Sequence, residues 1–314
     1  MCPKSQNRAS VTYSAVEELE EAAQSVGWDI DYRQISKGAF SAEFAFLDGA
    51  ETSLTSVNFN NHLHISCEPP EEFVGFFLPR LASGEATICG TTLTDGELVL
   101  FPTRSEMEFV TSGKVGNETV LLPEVEFRAI ARALAPSETS SFPKATAIYQ
   151  ADSLRCAQMR REFSSMLGNG SLDAEAVSSL LTMIVLWITD ASSKSSAEHL
   201  SNGSAAAIAR RAQAFIEDEY QNTIRLSDLC AHTGVGLRTL QRCFASHFQI
   251  SPFEYIKARR LNEARRDLVT ADPSICTVTQ IATGNGFPHL GRFSVEYRAH
   301  FGESPSETLE ARKP

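Results

Sequence analysis

An α+β chain of two domains is the architecture this sequence predicts: a strand-rich N-terminal part closed by helices, then an all-helical C-terminal third. Three observations predict it. Short alternating apolar runs recur between Trp28 and Leu122, separated by Gly, Asp, Pro and Asn. From Glu124 the apolar period changes to the helical one, and beyond Ala205 a segment repeats itself at an offset of 52 to 53 residues. A length of 314 residues suffices for two cores, and 42% hydrophobic with 21% charged residues excludes wholesale disorder and fibrous folds.

The runs FSAEFAFL, LTSVNFNNHLHIS, EFVGFFL, EATICG, GELVLF, EMEFVTS and NETVLL predict about seven strands over residues 28–122, spaced as in a β-barrel or sandwich. Helical periodicity then covers segments near Glu124 to Leu134, Ala151 to Leu167 and Leu172 to Thr189. The last two are joined by Gly168-Asn169-Gly170, with Ser171 as the expected N-cap, so helices over 124–189, ending in a hairpin over 151–189, close the first domain, residues 1–190. Residues 191–204 (ASSKSSAEHLSNGS) contain six Ser and an Asn-Gly pair without apolar periodicity and read as an interdomain linker. The second domain is residues 205–314.

A net charge of -11 argues at first sight against a nucleic-acid partner, because phosphates are neutralised by Lys and Arg. The charge is unevenly placed. Up to Ser204 there are 14 basic and 27 acidic residues, whereas the remainder has 14 basic and 12 acidic, so the acidity belongs to the first domain. The longest apolar run, Leu180 to Ile188, is too short to span a bilayer and no basic-then-apolar signal opens the chain, so a cytoplasmic location without membrane partners is expected. Seven Cys without a CxxC pair fit reduced thiols better than a disulfide framework or structural zinc.

The repeat aligns Ser227 with Thr279, Leu229 with Ile281, Cys230 with Ala282 and Gly234 with Gly286 at offset 52. Beyond one extra residue in the second turn it aligns Leu240 with Phe293, Phe244 with Tyr297 and Phe248 with Phe301 at offset 53. Each copy has a polar N-cap, a short helix, a small residue at a close crossing, a turn glycine and a second amphipathic helix, which are the parts of a helix-turn-helix. The units span 226–248 and 278–301. Between them PFEYIKARRLNEARRDLV, residues 252–269, predicts a bridging helix with Pro in its first turn. About 18 residues at roughly 1.5 Å each, plus the flanking turns, bring the two second helices to about one DNA turn apart, roughly 34 Å.

This third of the chain, about Ala206 to Leu309, resembles the AraC/XylS family of transcriptional regulators. The string GNGFPHLGRFSVEYRAHFGESPSETL carries the likeness through Gly286-Phe287, Phe293, Tyr297, Phe301-Gly302 and Pro305. The chain departs from the family in placing Gly236 and Pro288 where Ser often caps the recognition helices, and in lacking an aromatic near Leu309. The resemblance implies double-stranded promoter DNA as partner and, if the protein is an activator, RNA polymerase. It also implies that residues 1–190 form an effector-sensing and dimerisation domain, a cupin-like barrel followed by helices, in a homodimer.

The second helix of the first unit offers Arg238, Thr239, Gln241 and Arg242 between its core residues. Arg pairs bidentately with guanine and Gln with adenine, so these are the expected base readers. Their counterparts Gly291, Arg292, Ser294 and Val295 have mostly lost long polar groups, so Arg292, Arg298 and His289 are expected to contact phosphates. Taken alone, Arg238 and Arg242 would be only a solvated helix face; the repeat makes the reading role the better one. Arginines 259, 260, 265 and 266 fit phosphate contact and intradomain ion pairing equally.

In the first domain Phe44, Phe46, Phe59 and Phe76 are placed on the barrel interior as effector contacts, with His62 and His64 lining or flanking it. His62, His64, Glu68 and Gly75 are similar to the first cupin metal motif. Ser56 replaces its upstream glycine, no imidazole stands near Met107, and Pro69-Pro70 interrupts the strand. No metal, cofactor or catalytic residue is therefore assigned, and the alternative, a metal-dependent cupin enzyme with an appended DNA-binding domain, is the weaker reading.

Overall fold

The computed structural model describes residues 8–49, 52–134, 145–150, 153–193, 197–199 and 204–311. The N-terminal elements are, in order, β1 (Arg8–Tyr13), α1 (Val16–Gln24), β2 (Asp29–Gln34), β3 (Ala42–Asp48), β4 (Ser53–Phe59), β5 (Leu63–Glu68), β6 (Phe73–Arg80), β7 (Glu85–Ile88), β8 (Thr91–Thr92), β9 (Glu97–Phe101), β10 (Met107–Ser112), β11 (Val115–Pro123), α2 (Glu124–Leu134), β12 (Ala147–Gln150), α3 (Ser153–Asn169), α4 (Ala174–Ser193) and β13 (Ala197–His199). The C-terminal elements are all helices: α5 (Ser204–Glu219), α6 (Leu226–Thr233), α7 (Leu237–Phe248), α8 (Pro252–Thr270), α9 (Val278–Gly284), α10 (Leu290–Phe301) and α11 (Pro305–Glu310).

Each of the seven strand-like runs forms strand, and the second folds into two strands, β4 and β5, with Asn60-Asn61-His62 between them. The strands pair antiparallel in two open sheets, one ordered β1-β3-β4-β11-β6-β9-β12-β13 and the other β2-β5-β10-β7-β8. The eight-stranded sheet packs one face on α2, α3 and α4, where Phe76, Leu100, Tyr149, Ile184, Val185 and Trp187 are buried together. Its other face meets the five-stranded sheet across a second core containing Phe44, Phe59, Ile65, Phe77, Phe101 and Met107. Strand alternation thus sends Phe76 and Phe77 to opposite sides of one sheet.

Several local expectations are corrected. The hairpin helix α4 starts at Ala174, and its first turn is capped by Asp173, whose carboxylate accepts from the Ala176 N–H at 2.8 Å, rather than by Ser171. Part of the stretch read as a linker, Ala197–His199, is an edge strand on β12, with Ala147 opposite His199. The elements β1, α1, β2, β8 and β12 lie outside the predicted runs, although Val16, Leu19 and Ala23 give α1 a buried apolar face at helical spacing.

In the C-terminal third the observed α6, α7, α8, α9 and α10 match the two repeat units and the bridging helix to within two residues, apart from the start of α10 beyond its turn. Each unit has its own core. Leu229, Leu240, Phe244 and Phe248 pack with α5 and the start of α8, while Ile281, Ala282, Phe293, Tyr297 and Phe301 pack with the end of α8 and α11. Ser251 and Thr277 cap α8 and α9, their hydroxyls accepting from the Glu254 and Gln280 N–H groups.

Candidate nucleic-acid interface

Both turns are built as the glycines require. Gly234 ends α6 at φ 71° and donates its N–H to the Cys230 carbonyl at 2.9 Å. Gly286 lies at φ 77°, where a side chain would meet the Gln221 carbonyl at 2.9 Å, so both conformation and space demand glycine. Ala282 is fully buried at its helix crossing, and Cys230 half-buried at the equivalent one.

On α7, Leu240, Cys243, Phe244 and Phe248 face the core, which leaves Arg238, Gln241 and Arg242 exposed and Thr239 half-buried on the outer face. The helix starts at Gly236, which has no side chain to occupy its free N–H groups. Neither Arg238 nor Arg242 has an ion-pair partner among the described residues, so both guanidiniums remain available to an anionic or guanine partner. The equivalent face of α10 is exposed as well, but its cations are paired. Arg292 lies 2.9 Å from Glu296 and Arg298 3.1 Å from Glu307, and the Ser294 hydroxyl donates to the Leu290 carbonyl. His289 is exposed at the N-cap of α10, the position the sequence had suggested for Pro288.

The four bridging-helix arginines all have protein partners, several of them in the N-terminal part. Arg259 pairs with Glu217 and Glu263 at 2.6 and 2.5 Å. Arg260 donates to the Tyr220, Asn222 and Gly286 carbonyls, pinning the second unit's turn to the end of α5. Arg265 pairs with Glu17 and Glu303, and Arg266 with Glu20 and Asp31. Phosphate contact from these side chains would require breaking those pairs.

A contact set that the sequence reading missed joins the outer face of the five-stranded sheet to the helices. Glu108 on β10 accepts through one oxygen from His64 Nε2 at 2.9 Å and through the other from His247 Nε2 of α7 at 2.6 Å. Burial pushes the Glu108 carboxyl up, but the hydrogen bonds and charge of His247 and His64 outweigh it and hold it far below the usual carboxylate range. Val110, on the same strand face, is buried in the core of the first unit. At the end of β2, Gln34 exchanges two hydrogen bonds with Asn262, its N–H donating to the side-chain carbonyl at 3.0 Å and its carbonyl accepting from the amide at 2.8 Å. The same Gln34 carbonyl accepts from His300 Nε2 of α10 at 2.9 Å.

The inner face of those strands lines an apolar cavity of about 90 Å³ between the two sheets. Its walls include Trp28, Tyr32, Phe44, Phe59, Phe77 and Phe109. Of the six residues suggested as effector contacts, the structure brings together Phe44 and Phe59. Phe46 is half-buried at the margin, and Phe76 points to the opposite side of its sheet, 5.0 Å ring to ring from Phe127. His62 and His64 are on the outer face. His62 hydrogen-bonds the Phe248 backbone, and burial lowers its pKa. His64 is engaged at both ring nitrogens, by Glu108 and, at 3.3 Å, by the Tyr255 hydroxyl, which leaves neither nitrogen open to a metal.

A profile of the helix-turn-helix domain matches residues 229–311. The chain is 39% identical over 102 residues to the "Probable thc operon regulatory protein" of Rhodococcus erythropolis, an alignment covering 32% of this chain and 31% of that one. It is 37% identical over 99 residues to the "XylDLEGF operon transcriptional activator 2" of Pseudomonas putida, covering 32% and 63%. The chain therefore spans about a third of the first relative's length and under two thirds of the second's. Among solved structures, one described as "a probable AraC family transcriptional regulator from Rhodopseudomonas palustris CGA009" is 36% identical, covering 34% of this chain and 99% of that one, with a TM-score of 0.32. The matched residues are those that build the paired units with their turn glycines and buried aromatic ladder, and over this C-terminal third the chain is similar to transcriptional regulators of the AraC/XylS family.

Proposed function

We propose that the protein is a sequence-specific DNA-binding regulator of transcription that reads promoter DNA with α7 and α10 and senses a small molecule through its cupin-like N-terminal sheets. The observation that carries this reading is the pair of repeat-related units with exposed outer helix faces, the first presenting a glutamine and two arginines that have no ion-pair partner among the described residues. Arg238, Thr239, Gln241 and Arg242 are assigned to base edges. Arg292, Arg298 and His289 are assigned to phosphates, with Arg292 and Arg298 exchanging carboxylate partners for phosphate oxygens on binding. The apolar, aromatic cavity suits a compact hydrophobic effector, held by Phe44, Phe59, Phe77 and Phe109 rather than by the histidines.

A homodimer formed through the hairpin is part of the proposal, supported by Leu154 and Leu186, which stand 70% and 54% exposed on α3 and α4. Activation of transcription is the expected direction, as in the relative named as an activator. Selection of random duplexes by the full-length chain tests the whole reading. Recovery of one sequence with two contacted segments about a helical turn apart supports it, and recovery of no preferred sequence refutes it.

A further inference from the structure

The register that aligns Phe248 with Phe301 also aligns His247 with His300. Both are the next-to-last residue of their recognition helix, both are 3% exposed, and both donate a ring N–H to the N-terminal part. Their acceptors, the Glu108 carboxylate and the Gln34 carbonyl, lie in the same five-stranded sheet, on β10 and β2, with β5 between them. The turns alongside close on them. A Cβ on Gly90, after β7, would lie 2.8 Å from His247 Nδ1, and the Gly38 N–H donates to the His300 carbonyl at 3.0 Å. Between these two points Asn262 holds the bridging helix to Gln34, and Arg265 and Arg266 hold it to Glu17, Glu20 and Asp31.

We propose that the five-stranded sheet is a clasp that grips both recognition helices at repeat-equivalent histidines, His247 and His300, and so fixes the angle and separation at which the two helices meet DNA. This rests on the DNA-reading role proposed above. The gripped ends are opposite the reading ends, since Arg238, Gln241, Arg242, Arg292, Ser294 and Val295 stay exposed while His247 and His300 are buried. The clasp therefore works on geometry, leaving access to the reading faces open. Strand alternation ties it to the cavity, because Tyr32, Ile65 and Phe109 line the interior while their neighbours Arg33, His64 and Glu108 face the helices. A molecule that displaces the inner residues moves the same strands that carry the outer contacts.

The test uses the full-length chain and His247→Phe, Glu108→Gln and His300→Phe, with His300→Gln as the conservative variant whose amide can still donate to Gln34. Circular dichroism establishes that each is folded. Hydrogen exchange read by mass spectrometry is expected to speed at least tenfold in the last turns of α7 and α10 and in the facing strands β10 and β2, with protection restored at α10 by His300→Gln. On duplexes selected by the wild type, inserting two base pairs between the contacted segments is expected to weaken wild-type binding strongly, and at least fivefold less in the released variants. Exchange that rises only within the substituted helix overturns the clasp, as does an insertion penalty equal to wild type in variants whose sheet has been released. Failure to select any sequence refutes the regulator reading, and exchange then decides the clasp by itself.

Discussion

Arg242 and Arg238 stand on the outer face of α7 without carboxylate partners among the described residues, so each is expected to contribute base discrimination of about 1 to 3 kcal/mol, or roughly 5- to 150-fold in affinity. Arg242→Ala should lose that much on a selected duplex in fluorescence anisotropy and relax preference at one base pair. Arg292→Ala should weaken all duplexes alike and lower the salt slope by about one. His300 carries a second residue-scale prediction. Burial pushes its pKa down to about 4, while the hydrogen bond to Gln34 opposes the shift and the nearby Lys257, Lys37 and Arg265 add to it. A released imidazole titrates near 6.5, so between these values the open state binds a proton that the docked state does not, and stability rises with pH through that window. Moving from pH 7 to pH 5 should therefore destabilise the docked form by on the order of 2 kcal/mol, a fall of about 5 °C in Tm, with the dependence flattened in His300→Gln. The exposed face of α7, with Arg238, Gln241 and Arg242, was legible from the repeat because a helical face is set by periodicity alone. The side of Phe76 was not, since neighbouring Phe76 and Phe77 fit either face of a strand buried on both sides. The interdomain histidines were legible only as a match at offset 53; their acceptors belong to strands far away in sequence.

At the scale of elements, the bridging helix and the turns make the clearest predictions. Arg266 draws on Glu20 and Asp31, and its removal would leave two half-buried carboxylates facing each other. Arg266→Ala should cost about 2 kcal/mol in thermal or urea unfolding while leaving the salt slope of DNA binding unchanged; a slope lowered by about one would instead identify a phosphate contact. Gly286→Ala combines a left-handed backbone with a close carbonyl, so it should destabilise by more than 1 kcal/mol and reduce DNA affinity through the second unit. Helices were readable almost to the residue where polar caps and turn glycines bound them, as at Ser251, Thr277 and Gly234. The edge strands β1 and β13 and the four-residue β12 escaped because such a segment is defined by the partner it pairs with, which no local pattern records.

For the whole molecule, the acidic half and the near-neutral helical half are complementary. Glu17, Glu20 and Asp31 from the first meet Arg265 and Arg266 from the second, so the uneven charge along the sequence serves docking of the two halves. No helix among the described residues is long and apolar enough to cross a membrane. A thermal-shift screen of compact aromatic and aliphatic molecules on the full chain should find ligands that raise Tm by about 5 °C at a hundredfold excess over Kd, and Phe109→Ala should change which sizes are accepted. The strand Ala197–His199 also alters what the connection between the halves does. Only residues 200–203 separate its end from α5, a covalent reach of at most about 18 Å when fully extended. Anchored so close, the helical half meets the sheet at an effective concentration in the millimolar range or above. Contacts too weak to associate two separate chains therefore suffice to keep the halves together, and a modest change in those contacts is enough to part them.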